Sequence, residues 1–255
     1  MSIRVIRAGE HIQHIPGWGI TVREAGVGGG LDPLLSGLIH YWKFDEASGV
    51  RYDSIGTLHL TPSDSDPASV TGVVGNAVDF EADNAQWLKA SSILDWTGDF
   101  SIALWARHES MPTAPYYLTL MRQGVSFGGG CGPNLQLAYN NVMAFAYIAG
   151  AVNYSAIIHV HLKAAGNWTF MVFTHDASAK LIGAWDSADD SMTDRGTVEY
   201  TFTPEPTEQN FMLSEIQAGY FKYFDGSIDE LGVWNRVLTS DEIVALYNSG
   251  NGWTV

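Results

Sequence analysis

Carboxylates spaced along strands are the side chains here with the chemistry to cleave a bond or hold a cation. Asp225, Asp229 and Glu230 fall in the run Phe224-Asp225-Gly226-Ser227-Ile228-Asp229-Glu230-Leu231. Residues two apart on a strand share a face, so Asp229 is expected beside Leu231 and Val233, with Glu230 facing away. If those two apolar residues line a core, Asp229 is inward as well, and a carboxylate there costs roughly several kcal/mol unless something satisfies it. Backbone amides of the Asp225-Gly226 turn are one source of partners. A retaining glycosidase needs two carboxyl groups ~5–5.5 Å apart, and the spacing of this triplet does not supply them. Asp186, Asp189, Asp190 and Asp194 form a second acidic group, read as a solvated loop.

Other reactive residue types give less. His159 and His161 share one strand face at i and i+2 and could be two ligands of a metal such as zinc. No third ligand can be assigned, and they read as a surface pair. The one cysteine, Cys131, cannot form an intrachain disulfide and reads as packing. The run 128–130 lacks the Lys-Ser/Thr that a phosphate loop requires. Aromatic residues in turn-like contexts are the ligand candidates: Trp96, Tyr116, Tyr117, Trp185, Tyr220 and Tyr223. Flat rings stack on sugars and also anchor protein interfaces.

The elements that must position these groups are strands. Residues 100–106 put Phe100, Ile102, Leu104 and Ala106 on one face, and residues 168–173 are apolar on both, as in a covered central strand. Further strands are expected at 38–44, 85–89, 116–121, 135–139, 142–148, 156–161, 180–185, 198–202 and 228–234. Turn signals such as Asn140-Asn141 and Asp225-Gly226 separate several of them. One helix is expected: Thr239-Ser240-Asp241-Glu242 has capping-box spacing, Ile243, Leu246 and Tyr247 form an apolar face, and Gly250 suits the C-cap. The fold class is all-β, a two-sheet antiparallel sandwich with a short C-terminal helix.

Residues 1–35 read as an N-terminal arm and Gly-rich linker, and 36–255 as the sandwich. The arm carries Arg4, Arg7 and Arg23 against Glu10 and Glu24, whereas the whole chain has 28 acidic and 13 basic residues and a net charge of −15. Such a field repels phosphate backbones and argues against nucleic acid as a partner. No window reaches the ~18 uncharged apolar residues of a membrane span. The first residues lack the apolar core of a signal peptide, so export by the general secretory route is not expected.

Five landmarks in order resemble the laminin-G-like jelly-roll domains of the concanavalin-A-like lectin/glucanase superfamily. They are the runs 38–46, 75–80, 99–105 and 166–170, and the stretch from Phe224 to Leu231 followed by Trp234-Asn235-Arg236-Val237-Leu238-Thr239. The resemblance covers about residues 36–250 and implies two packed sheets of curved strands. It also implies a structural Ca²⁺, held by Asp229 with backbone carbonyls near the first strand, around Asp45 to Gly49. Laminarinase-type hydrolases of the superfamily carry Glu-x-Asp-x-Glu on one strand, and this sequence has no such motif.

Two functions are expected, neither catalytic. In the first, the chain is a structural or adhesive component of an assembled particle such as a phage virion. It docks on a protein partner through Ile3, Arg4, Val5, Arg7, Trp18 and Arg23, since a strand-forming arm can add to a neighbouring sheet. The alternative is an extracellular lectin or a carbohydrate-binding module of a larger enzyme, with glycan as the partner.

Overall fold

The computed structural model describes residues 32–90, 94–123, 132–138, 142–149, 154–204, 210–214 and 221–255. Asp32–Val255 forms one compact unit. The arm positions Ile3, Arg4, Val5, Arg7, Trp18 and Arg23 lie outside the described residues, as do Cys131 and the 128–130 glycines.

Two antiparallel sheets build the sandwich. The first runs β13 (Thr193–Glu199), β12 (Leu181–Asp186), β11 (Thr169–Asp176), β6 (Phe100–His108), β16 (Gly226–Trp234), β4 (Asn76–Phe80) and β3 (Ala68–Thr71), with β1 (Leu38–Trp42) also paired to β16. The second runs β10 (Tyr154–His161), β9 (Val142–Ala149), β8 (Gly132–Leu137), β7 (Tyr117–Arg122), β14 (Met212–Leu213), β5 (Leu88–Ala90) and β2 (Leu60–Pro62). β15 (Phe221–Tyr223) adds to β7 in parallel.

Alternating side chains of both sheets meet in the main core. Ile102, Leu104, Met171 and Phe173 from the first sheet pack with Leu135, Leu137, Met143 and Phe145 from the second. The Phe145 and Phe173 rings, 4.9 Å apart, join the layers. Each fully buried residue of this size contributes about 1.5–3 kcal/mol, so the sandwich is held by apolar burial rather than by cross-links.

The expected strands all appear except that residues 198–202 are not one. β13 ends at Glu199, because its pairing to β12 sets Leu181 opposite Glu199 and the strand extends backwards through polar residues to Thr193. β2, β3, β4, β14 and β15 were not among the expected strands. They are two to five residues long, and β2 and β3 end their sheets, where only one flank is paired.

A second apolar core covers the outer face of the first sheet. Helix α1 (Ser240–Tyr247) lays Ile243, Leu246 and Tyr247 over Trp105, Phe170 and Val172. The expected capping box is present: Thr239 Oγ1 accepts from the Glu242 amide, and Glu242 accepts from the Thr239 amide at 2.8 Å. The C-cap is Asn248 in the left-handed region, φ 49°, and not Gly250. Asn tolerates that region nearly as Gly does. Residues 32–35, grouped with the linker on composition, pack onto the body: Leu34 joins the second core and its carbonyl accepts from Trp234 Nε1 at 2.7 Å.

Candidate functional site

β16 is the strand that carries Asp229 and Glu230, and it does not alternate through them. Between Asp229 and Gly232 it advances three residues while β6 advances two, from Trp105 to Ala103. Glu230 takes the extra step with φ 49°. A bulge sets two residues against one, so Asp229 follows Trp105 to the outer side while Leu231 and Val233 remain in the main core. The expectation that Asp229 shares their face, and that Glu230 points away from it, is corrected by this one inserted residue.

Both carboxylates stay buried on that outer side. Asp229 Oδ2 accepts from the amides of Val73 at 2.7 Å and Val74 at 3.1 Å, in the loop between β3 and β4, not from the Asp225-Gly226 turn. A Cβ on Gly72 would collide with this carboxylate, and one on Gly75 (φ 64°) with that of Asp45. Asp45 Oδ1 accepts from the Asn76 amide at 2.8 Å in the same loop. Asp229 Oδ1 and Glu230 Oε1 have no hydrogen-bond partner among the described residues. Burial pushes the Asp229 carboxyl up to about 7, against the pull of the Val74 and Val73 amides. Burial likewise pushes Glu230 to about 8, against the Tyr41 hydroxyl that donates to it. Burial and the Glu230 charge raise the Tyr41 hydroxyl. Among the described residues no three His, Cys, Asp or Glu side chains converge as metal ligands.

The outer face of the second sheet is different in kind: no described helix lies on it. Because Leu135, Leu137, Met143, Phe145, Ile158 and Val160 face the main core, their neighbours face out. Register then draws two rows across the sheet. One runs Tyr223, Thr119, Gln136, Ala144, His159, and the other Arg122, Asn134, Ala146, Ile157. The alanines on β9 lie between longer side chains on β8 and β10, so they floor a groove. Asn134 is only 2% exposed, and its Nδ2 is buried with no hydrogen-bond partner among the described residues. Arg122 ends the row on β7, where burial lowers its pKa. His159 and His161 are exposed on this face, as expected of a surface pair.

A family model described as the concanavalin A-like lectin/glucanases superfamily, of laminin-G type, matches residues 81–244. The chain belongs to this superfamily. Among solved structures, this lectin/glucanase-superfamily domain is similar to domain 4 of an extracellular arabinanase from Geobacillus stearothermophilus, at 15% identity and TM-score 0.59, covering 82% of this chain and 97% of that one. The binding domain of Paraclostridial mosquitocidal protein 1 is similar at 12% identity and TM-score 0.64, covering 84% and 52%. The receptor binding domain of botulinum neurotoxin type G is similar at 13% and 0.62, covering 84% and 51%. The chain thus spans nearly all of the arabinanase domain and about half of each toxin domain. No curated protein matches it.

Within this superfamily domain the six candidate aromatics part company. Trp96 is 2% exposed and sits in the main core against Phe100 at 5.0 Å, so it cannot reach a ligand. Trp185 is half-buried beside the second core. Parallel pairing of β15 with β7 brings Tyr117 and Tyr223 to one end of the groove face. Tyr116 is the exposed member, with Lys222 Nζ 4.8 Å above its ring. Tyr220 lies outside the described residues.

Two acidic residues were misjudged or missed. Asp186, assigned to a solvated loop, ends β12 fully buried and is gripped by Arg195 through Nε at 2.6 Å and Nη2 at 2.7 Å. Asp53 was not singled out. It is buried and accepts from four backbone amides and from His40 Nδ1. The only sequence signal was Asp53-Ser54-Ile55-Gly56, an acid able to bond amides two and three residues on.

Proposed function

We propose that this domain binds a carbohydrate chain in the groove of the second sheet and does not cleave it. The observation that carries the proposal is the groove itself: Ala144 and Ala146 on β9 form a floor between Gln136 on β8 and the exposed His159 and Ile157 on β10. Gln136 is half-buried beside that floor and offers its amide to a sugar hydroxyl, and Tyr117 and Tyr223 supply rings at one end. The similar arabinanase domain was solved in complex with arabinotriose.

Two features support binding without hydrolysis. Among the described outward residues of β7 to β10 none is a carboxylate. Asp229 and Glu230 are buried on the outer side of the other sheet, where no substrate bond could pass between them.

A structural Ca²⁺ at the β16 bulge belongs to the same proposal. Asp229 and Asp45 would hold it, with backbone carbonyls and water completing the roughly 6–8 oxygen ligands that calcium takes. The orphaned Asp229 Oδ1 supports this. The particle-surface reading rests on residues 1–30 and gains no support from the described residues.

The test is a glycan array followed by calorimetry on any hit. Gln136→Ala should weaken binding about 10-fold, the loss of one hydrogen bond worth about 1–1.5 kcal/mol, Ala144→Leu should fill the floor and abolish binding, and the oligosaccharide should be recovered intact. Affinity unchanged in both variants would exclude the groove, and silence across the array at millimolar sensitivity would exclude the carbohydrate reading.

A further inference from the structure

We infer that β10 is an interface strand, and that two copies of this chain pair edge to edge along it. An open sheet edge presents a row of unpaired N–H and C=O groups, which proteins blunt with short strands, charges, proline, bulges or a covering loop. The other marginal strands carry these devices. β2 is three residues long and contains Pro62, β3 is four residues long, and β15 has three with Lys222 at its centre. β13 bears Asp194, Arg195 and Glu199 and shifts register against β12. The Asp53 loop covers β1, where the Tyr41 amide donates to Asp53 Oδ1 and the Ser54 amide to the Tyr41 carbonyl.

β10 has none of them. Tyr154–His161 runs eight residues without Pro, Gly, Asp, Glu, Lys or Arg, in unbroken register with β9, and it ends its sheet. Ile157, halfway along, is 43% exposed.

Hydrogen bonds show which amides face away from β9. The His161 amide donates to Asp186 Oδ2 at 2.8 Å. The carbonyl of its register partner, Val142, accepts from the Ala138 amide on the β8 side. Val142 and His161 are therefore a non-hydrogen-bonded pair, and such pairs alternate along an antiparallel ladder. His159, Ile157 and Ser155 turn their backbone groups outward by the same alternation. Among the described residues no group bonds to these three amides. Asp186 closes the far end of the edge and leaves residues 155–159 open.

A second copy fits this edge for two reasons. Each chain carries a net charge of −15, so contact between copies favours a surface without acids, and β10 has no carboxylate. A strand paired antiparallel with itself is also self-complementary, as a two-fold contact must be. With the axis at Ile157, that residue meets its own counterpart and His159 pairs with Ser155 in both directions, which forms about six new backbone hydrogen bonds. The two exposed isoleucines become neighbours. The pairing does not depend on what the groove binds.

Sedimentation equilibrium from micromolar to submillimolar protein, in low and high salt, tests this. A monomer–dimer equilibrium is expected, tightened by salt because screening relieves the repulsion between two −15 chains. Ile157→Lys sets like charges across the axis, and His159→Pro removes an edge donor that β9 does not use. Each should weaken the dimer about tenfold or more; if His159→Pro fails to fold, Ile157→Lys decides. In a Cys131→Ser background, Ile157→Cys should oxidise readily to a disulfide-linked dimer, because directly opposed hydrogen-bonded residues lie ~5.5 Å apart at Cα, within disulfide reach. Val244→Cys, exposed on α1, should not. A chain that stays monomeric throughout, a dimer that Ile157→Lys leaves intact, or a dimer that salt dissolves overturns the inference. Equal cross-linking of the two cysteine variants overturns it as well.

Discussion

Replacing Asp53 should unfasten the first strand from the loop that follows it, and the cost can be worked from its contacts. The carboxylate accepts from the amides of Tyr41 at 3.0 Å, Ile55 at 3.1 Å, Gly56 at 2.9 Å and Leu58 at 3.0 Å, and from His40 Nδ1 at 2.6 Å. Burial alone would push this carboxyl up, but His40 and the amides of Tyr41, Gly56 and Ile55 outweigh it and hold it at about 2 against an ordinary 3.8. At 1.36 kcal/mol per pH unit, that difference corresponds to about 2 kcal/mol of stability for the ionised form. The folded pKa is depressed, so the contribution is complete above about pH 4 and is lost as pH falls through about 2. Asp53→Asn keeps one acceptor oxygen but loses the charge, and should cost about 2–3 kcal/mol at pH 7 by urea denaturation. The gap between variant and wild type should narrow as both are measured down to pH 2–3. A difference below about 0.5 kcal/mol at pH 7, or one that does not change with pH, would refute the account.

Arg195→Ala should destabilise the fold by about 3 kcal/mol, because Asp186 would be left as a buried charge without its bidentate partner; thermal melts that show no loss would mean that the β12–β13 hairpin does not depend on the pair. His175 is buried, with one ring nitrogen on the Gly98 carbonyl and the other on the Tyr200 hydroxyl, each at 2.7 Å. Burial lowers its pKa below the ordinary 6.5 of histidine, so the unfolded chain takes up the proton first and stability should fall as pH drops below about 6.5. His175→Phe should flatten that part of the stability curve, and an unchanged curve would count against it. Adding Ca²⁺ should raise the melting temperature, EDTA should reverse the rise, and Asp229→Ala should abolish it, whereas a melting temperature indifferent to both reagents argues for an empty bulge.

How far the sequence reaches is clearest at three places. The helix was legible almost whole, since Thr239, Glu242 and the Ile243–Leu246–Tyr247 face act within a few residues of one another. Only its end was misplaced, at Gly250 where Asn248 takes the left-handed turn. The main strands were legible too, because alternation of Leu, Phe, Ile and Val records which face is dry. The short edge strands β2 and β3 carry little apolar alternation and left no such trace.

Function was less legible, since it depends on what lies across from a residue rather than beside it in the chain. Gln136 could be placed outward from Leu135 and Leu137 alone. Only the pairing of β8 with β9 sets Ala144 and Ala146 opposite Gln136 and Asn134 and so makes a groove floor. The inserted residue in β16 moved Asp229 and Glu230 to the same side, a change that no period-2 pattern could show. Local patterns of charge, capping and alternation therefore determined the class of fold. Register, bulges and the meeting of distant loops decided which side chains share a face, because those are set by contacts between segments as far as 221 residues apart.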